Sequence, residues 1–115
     1  MAKIYGVVPL ELCPGVNGED FVKFWVEEYA PLGARLGWKG HVLKGDRGLN
    51  AGKYAVIWEI DSVEDRDRYV MADQITEEGL RLLEPDFSRL NEKLDTFVTG
   101  WPFTDYIEQV LKPRG

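Results

Sequence analysis

The sequence contains one cysteine, one histidine and no long apolar run, and each shortage excludes a class of protein. Cys13 alone cannot form an intrachain disulfide, so we expect a reducing compartment. One cysteine and one distant histidine give no spacing typical of a metal site. No apolar run approaches the roughly 20 residues that span a bilayer, and the first residues lack a signal-peptide pattern. These absences predict a cytoplasmic protein with no membrane segment and no bound metal.

Positive charge is also scarce, because 14 basic residues stand against 20 acidic ones and leave a net charge of −6. Proteins that follow a phosphate backbone need the opposite sign, so we do not expect nucleic acid as a partner.

A chain of 115 residues is long enough for one hydrophobic core and too short for two. We therefore predict a single domain over residues 1–115, with a core at about 3–102 and a C-terminal tail at 103–115.

The first part of the chain predicts a strand followed by an aromatic helix. Residues 4–12 are rich in β-branched and apolar side chains, which favours a strand. Asn17, with an acidic residue three positions on, is typical of a helix N-terminus. Pro31 disfavours helix at the residue before it, so we expect the regular helix to stop near Tyr29 and to resume, if at all, as a turn over residues 32–36. The apolar stripe of this helix contains Phe21, Phe24, Trp25 and Tyr29.

The rest of the chain predicts a hairpin, two helices and a last strand. Residues 38–45 and 53–61 suit antiparallel strands joined by a glycine-containing loop, and Ser62 then begins a helix to about Met71. A longer helical pattern starts at Thr76 and is split by Pro85. Residues 97–101 are predicted to form the fourth strand. The resulting βαββαβ order is the ferredoxin-like arrangement, an α+β fold with an antiparallel four-stranded sheet.

The third predicted strand is apolar on both of its faces. Tyr54, Val56, Trp58 and Ile60 share one face, while the other carries Ala55 and Ile57 beside a single acid, Glu59. Helices can cover one face of a sheet and leave the other open. A second copy of the chain is the economical cover for the open face, so we predict a homodimer in the form of a dimeric α/β barrel.

The segment after Pro102 has an apolar pattern of its own. Phe103, Tyr106, Ile107 and Val110 are spaced as one face of a helix. A terminal turn packed on its own subunit explains this pattern as well as an arm that reaches across the dimer does.

The first helix resembles that of a known family. Phe24, Trp25, Glu28 and Tyr29, followed by Ala-Pro-Leu at residues 30–32, resemble the first helix of the EthD-like branch of the dimeric α/β barrel superfamily. The segment YAVIWEIDSVEDRDRY at residues 54–69 is similar to the third strand and second helix of that superfamily. The strong likeness covers under half of the chain, and the remainder agrees in element order.

This resemblance implies a pocket in each subunit between the sheet and its helices. The superfamily includes cofactor-independent monooxygenases, polyketide cyclases, dehydratases, decarboxylases, muconolactone isomerases and haem-degrading enzymes. Haem-degrading members use a histidine on the helix after the third strand; none is present here, so we expect no cofactor. A histidine is also common where Tyr29 stands. A tyrosine with its usual pKa of about 10 is a poor base at pH 7, but it can donate to a developing oxyanion.

Three side chains are candidates for acid or base chemistry: His41, Tyr29 and Glu59. His41 is the only side chain whose ordinary pKa suits proton transfer at neutral pH, although strand histidines are more often structural. Glu59 interrupts an apolar strand, so its carboxylate must be solvated, functional or paired with a lysine such as Lys39 or Lys44. Most aromatic residues belong to a core, yet Tyr and Trp can also line a pocket. The candidates for substrate binding are Trp25, Tyr54, Trp58 and Tyr5.

These patterns lead to a protein with a small-molecule pocket. The leading hypothesis is a cofactor-independent enzyme that performs proton transfer, cyclisation or oxygenation on a small hydrophobic or aromatic substrate, with His41 as acid or base. The alternatives are a noncatalytic ligand-binding or accessory protein of the same fold and a purely structural dimer. Whether the protein is an enzyme stays open at this point.

Overall fold

The computed structural model, described for residues 2–72 and 74–109, has one antiparallel four-stranded sheet in the order β2-β3-β1-β6. A two-stranded ribbon, β4 with β5, accompanies it. In chain order the elements are β1 (Ile4–Pro9), α1 (Gly18–Phe24), a π-helical turn (Trp25–Tyr29), α2 (Ala30–Arg35), β2 (Lys39–Lys44), β3 (Tyr54–Ile60), α3 (Val63–Tyr69), β4 (Val70–Met71), β5 (Gln74–Ile75), α4 (Glu77–Leu83), α5 (Asp86–Phe97) and β6 (Thr104–Ile107).

The helices pack on one face of the sheet, and the hydrophobic core lies between the two layers. Alternate residues of the central strands, such as Val8 and Val56, are almost fully buried there against Phe21 and Leu90. The predicted α+β class, the β2–β3 hairpin and the helix break at Pro85 are all confirmed. No helix within the described ranges is long and apolar enough to cross a membrane.

Three side chains begin helices where the sequence predicts them. The Glu19 N–H donates to Asn17 Oδ1 at 2.8 Å, which caps α1, and the Asp65 N–H donates to Ser62 Oγ at 3.1 Å, which caps α3. Thr76 caps α4 in the same way. Each cap satisfies a backbone N–H that has no partner inside its helix. However, α3 ends at Tyr69, because the chain then turns into the ribbon, two residues before the predicted end.

The first helix does not stop near Tyr29 as predicted. It continues through the π turn, where the Ala30 N–H bonds to the Trp25 carbonyl, into α2. Buried positions recur four residues apart along this helix, at Phe21, Trp25, Tyr29 and Gly33, and Phe24 and Leu32 are buried beside them. In an α-helix that spacing drifts by about 40° at each step, because a turn takes 3.6 residues. The wider π turn compensates for the drift and keeps these positions on the sheet side, and the helix passes Pro31 there.

The fourth strand lies later than predicted. Residues 97–101 are not a strand, since α5 runs to Phe97 and Val98 makes only an isolated bridge with Leu12. The strand is β6, which pairs with β1 from Ile4 opposite Ile107 to Val7 opposite Thr104. The prediction of a helical face in this segment is wrong because strand alternation puts Tyr106 and Ile107 on opposite sides.

The strand β6 thus belongs to the segment that we expected to be a tail. It pairs with β1 of its own chain, and the Glu108 N–H donates to the Lys3 carbonyl just beyond the ladder. Val110, the last position of the predicted helical face, lies outside the described residues.

Candidate functional site

The sheet separates the predicted site residues onto two faces. Side chains alternate along a strand, so Trp58 points towards the helices while its neighbour Glu59 points away from them. The helix-covered face carries Trp25, Tyr29, Tyr54 and Trp58 of the predicted set. Tyr5, His41 and Glu59 are on the open face, in adjacent cross-strand rows.

A cavity of about 500 Å³ lies on the helix-covered face, between the sheet and helices α2 to α5. Its volume falls within the range of small-molecule sites. Most of its wall is apolar, with aliphatic side chains such as Leu32, Leu36 and Leu83. The aromatic residues of the wall are Tyr29, Trp38, Trp58, Phe87, Trp101 and Phe103.

Two glycines make room for the indole of Trp58. A Cβ atom on Gly33 of α2 would lie 2.1 Å from Trp58 Cζ3, and one on Gly40 of β2 would lie 2.8 Å from the same atom. Neither distance is compatible with an undisturbed indole. The ring is therefore held between a helix and a strand, and its position depends on the absence of two side chains.

Trp25 supports this wall from inside the core. It is fully buried, and its ring centroid lies 5.1 Å from Tyr29, 5.0 Å from Trp58 and 5.9 Å from Trp101. Trp25 is not itself a lining residue. Trp25, which the sequence predicted to bind substrate, thus packs behind three residues that line the cavity.

Tyr29 supplies the best-defined polar group in the cavity. Its hydroxyl donates to Asn91 Oδ1 on α5 at 2.6 Å. Burial, followed by the negative charge of Asp95, raises the pKa of Tyr29 well above its ordinary value. The phenol is therefore neutral at pH 7 and acts as a hydrogen-bond donor rather than as a base.

A second polar group lies in the cavity wall. Arg66 of α3 bonds to Asp105 of β6 at 3.3 Å and to Asp67 at 3.1 Å. Arg66 and Asp105 both line the cavity, so this ion pair ties the last strand to a helix across the cavity wall. Trp38 adds an indole N–H that is buried with no partner in the part of the chain that the structure describes.

His41 does not line this cavity. Its Nε2 lies 3.4 Å from Glu59 Oε1 on the open face, and Lys3 Nζ contacts the other oxygen of the same carboxylate at 2.7 Å. The hydrogen bond from Lys3, helped by the charge of Lys39, holds the pKa of Glu59 below its ordinary value. Because the sheet stands between them, His41 and Glu59 cannot act on a molecule in the cavity of the same chain. The sequence predicted that Glu59 pairs with Lys39 or Lys44, but its main partner is Lys3.

Tyr54 and Tyr5 are also away from the cavity. Tyr54 packs its ring edge on Phe21, 6.2 Å between centroids, and fills the space beside Gly18. It lines a separate open groove together with the β2–β3 loop. Tyr5 lies opposite Glu59 on the open face.

Sequence reasoning missed most of the polar lining residues. Asn91 and Asp95 are one helical turn apart on α5, beside the apolar positions Leu90 and Leu94. That spacing places them on one face and is visible in the sequence. Asp105 carries no comparable signal, because its strand was not predicted. Within the described ranges, no three His, Cys, Asp or Glu side chains cluster as metal ligands do.

Comparison with solved structures identifies the fold. The chain superimposes on an uncharacterised NIPSNAP-like domain protein from Burkholderia xenovorans with a TM-score of 0.65, at 13% identity over 98% of this chain and 90% of the other. A dimeric protein of unknown function and ferredoxin-like fold from Bacteroides fragilis gives 0.52, at 17% identity, over 90% and 94% of the two chains. An ethyl tert-butyl ether D (EthD) family protein from Bacillus halodurans also gives 0.52, at 13% identity, over 96% and 100%.

At these identities the likeness is one of fold. No family model matches the chain, and no curated protein matches its sequence. The prediction that the chain shares its architecture with EthD-like proteins is confirmed, and its fold is ferredoxin-like.

Proposed function

We propose that the protein is a homodimer of the EthD-like type that binds a small, mainly apolar molecule in the cavity of each subunit. The observation that carries the proposal is the composition of the wall, which combines six aromatic residues with a few polar groups. Small-molecule sites have this composition, because apolar contact supplies affinity and fixed polar groups orient the ligand. The ligand we infer is flat or compact and has one hydrogen-bond acceptor for the Asn91 amide N–H, because the Tyr29 hydroxyl already donates its single hydrogen to Asn91 Oδ1. A cytoplasmic location, favoured by the single cysteine, is part of the proposal.

The open face of the sheet supports the dimer. Val7 and Ile57 lie side by side at its centre, half-buried in the single chain, and Leu43 is 49% exposed at its edge. An apolar sheet face is normally covered by a second layer. The related fold from Bacteroides fragilis belongs to a protein described as dimeric. We assign His41 and Glu59 to this interface as its polar part.

The binding proposal is tested with 2-acetylnaphthalene, a flat neutral ketone, by quenching of tryptophan fluorescence. We expect saturable binding to the full chain. Tyr29→Phe removes the hydroxyl that holds the Asn91 amide in position and weakens binding about fivefold, the worth of roughly one hydrogen bond. Tyr5→Phe makes the same change on the open face and leaves binding unchanged. Absence of saturable binding, or an equal loss in both variants, would refute the assignment of the cavity.

Catalysis is the second candidate function, and one observation favours it. Asp95 lines the cavity together with Asn91, whose amide N–H is not used by the bond from Tyr29. A carboxylate beside a hydrogen-bond donor can take a proton from carbon while the donor stabilises the oxygen of the resulting enolate. In this reading Asp95 replaces His41 as the base. Exchange of the methyl protons of 2-acetylnaphthalene for deuterium, lost in Asp95→Asn, would support it.

A further inference from the structure

The aromatic wall has a geometry that suits a bound positive charge. The ring centroid of Tyr29 lies 6.4 Å from that of Trp58 and 6.2 Å from that of Trp101. A cation is attracted to the face of an aromatic ring when it lies within about 6 Å of the centroid. Trp25, which does not line the cavity, stacks on one face of Tyr29, so the opposite face is the one left for a cation. A cation over that face can lie within this distance of either neighbour as well. All three rings line the cavity.

The charged residues of the wall leave a negative excess. Within residues 2–72 and 74–109, the carboxylates of the wall are Asp95 and Asp105, and its basic side chain is Arg66. Arg66 already bonds to Asp105 and to Asp67, which lies outside the wall. Among the described residues, no lysine, arginine or histidine nitrogen lies within 4 Å of the Asp95 carboxylate. Of the carboxylates in the described wall, Asp95 is thus the one without a basic partner, and it lies at a solvent-exposed position of α5.

The raised pKa of Tyr29 agrees with a negative electrostatic potential in the cavity. After burial, the charge of Asp95 is the further cause that raises the pKa of the Tyr29 phenol. A field that opposes a phenolate favours a cation in the same place, because both effects have the same electrostatic origin. The net charge of −6 acts in the same direction over a longer range.

We propose that the cavity selects an organic cation, a tertiary or quaternary ammonium on a small apolar body, over a neutral molecule of the same shape. This inference rests on the proposed binding function and specifies its ligand class. The ammonium lies among the rings of Tyr29, Trp58 and Trp101 with Asp95 beside it. A quaternary ammonium suits such a wall because it has no N–H groups that need acceptors. The apolar body lies against the leucines.

Two isosteric probes separate charge from shape. Benzyltrimethylammonium and neopentylbenzene differ only in a central N⁺ or carbon, and each is titrated into the full chain at pH 7 by isothermal calorimetry or tryptophan fluorescence. Because the aromatic wall attracts a cation, we expect benzyltrimethylammonium to bind about tenfold more tightly than neopentylbenzene.

A pair of charge-neutralising variants on α5 locates the effect. Asp95→Asn removes the carboxylate at the cavity and lowers the affinity for benzyltrimethylammonium about fivefold, while neopentylbenzene binds as before. Glu92→Gln removes the same charge from an exposed position of α5 outside the cavity wall and leaves both affinities unchanged.

Each other outcome has a definite meaning. If neopentylbenzene binds as tightly as the cation or more tightly, the cation preference is wrong and the binding function stands. If both variants weaken the cation equally, the overall charge explains the preference and the assigned site is wrong. If neither probe, nor 2-acetylnaphthalene, binds saturably, the proposed function and the inference fail together.

Discussion

The two faces of the sheet differ in chemistry although they are built from the same strands. The helix-covered face has Trp58 at its centre and a cavity with few charges, whereas the open face has a cluster in which Glu59 forms an ion pair with Lys3 and also lies beside His41. Trp58 and Glu59 are neighbours in the sequence and are separated by the sheet. Residues that look like one active site in the sequence therefore belong to two surfaces, one suited to a ligand and one suited to another protein layer.

The largest expected effect is on the open face. Ile57→Asp places a carboxylate at the centre of the proposed dimer interface, where two copies meet. Burying an unpaired charge costs several kcal/mol, so we expect the dimer dissociation constant to rise at least about 100-fold. Sedimentation equilibrium measures the change, and circular dichroism checks that the monomer stays folded.

Leu49→Asp is the matched control for this variant. Leu49 lies in the β2–β3 loop and is 96% exposed, so the same gain of charge there leaves the dimer intact. An Ile57→Asp protein that remains dimeric at micromolar concentration would contradict the assignment of the open face.

The next effect concerns the helix-covered face. Gly33→Ala puts a methyl group into the position occupied by the Trp58 indole, which must shift. We expect a net loss of about 2 kcal/mol in the free energy of unfolding, since overpacking outweighs the gain in helix propensity. Urea denaturation measures it. Ala34→Gly changes an exposed neighbour in α2 and measures the difference in helix propensity alone. If Gly33→Ala loses no stability, the Trp58 indole is not tightly packed against α2.

The smallest effect is the pH dependence of the ion-pair cluster. The pKa of Glu59 is lower in the folded chain, chiefly through the hydrogen bond from Lys3. The carboxylate therefore stabilises the fold fully above the ordinary glutamate pKa of about 4.3, and this contribution is lost as the pH falls through the lowered value. Replacing Lys3 by Met should flatten the rise of unfolding free energy with pH across this window. Lys53→Met removes an exposed lysine outside the cluster and should leave the slope unchanged.

Local signals predicted the elements better than they predicted the site. Helix starts at Asn17, Ser62 and Thr76 depend on neighbouring residues only, so the sequence contains the whole cause. The strand at residues 104–107 depends on a partner about one hundred residues away, and no local pattern identifies it. The cavity in turn depends on Gly33, whose role becomes visible only once Trp58 lies beside it.

The ladder between β1 and β6 also constrains the order in which the chain folds. It joins Ile4 to Ile107, so this pairing closes a loop of nearly the whole described chain, and such contacts form slowly. Trp101, Phe103 and Asp105, which complete the cavity wall, lie in or next to this last strand. During synthesis the other strands and the helices can assemble first, and the cavity stays open on one side until residue 107 has left the ribosome.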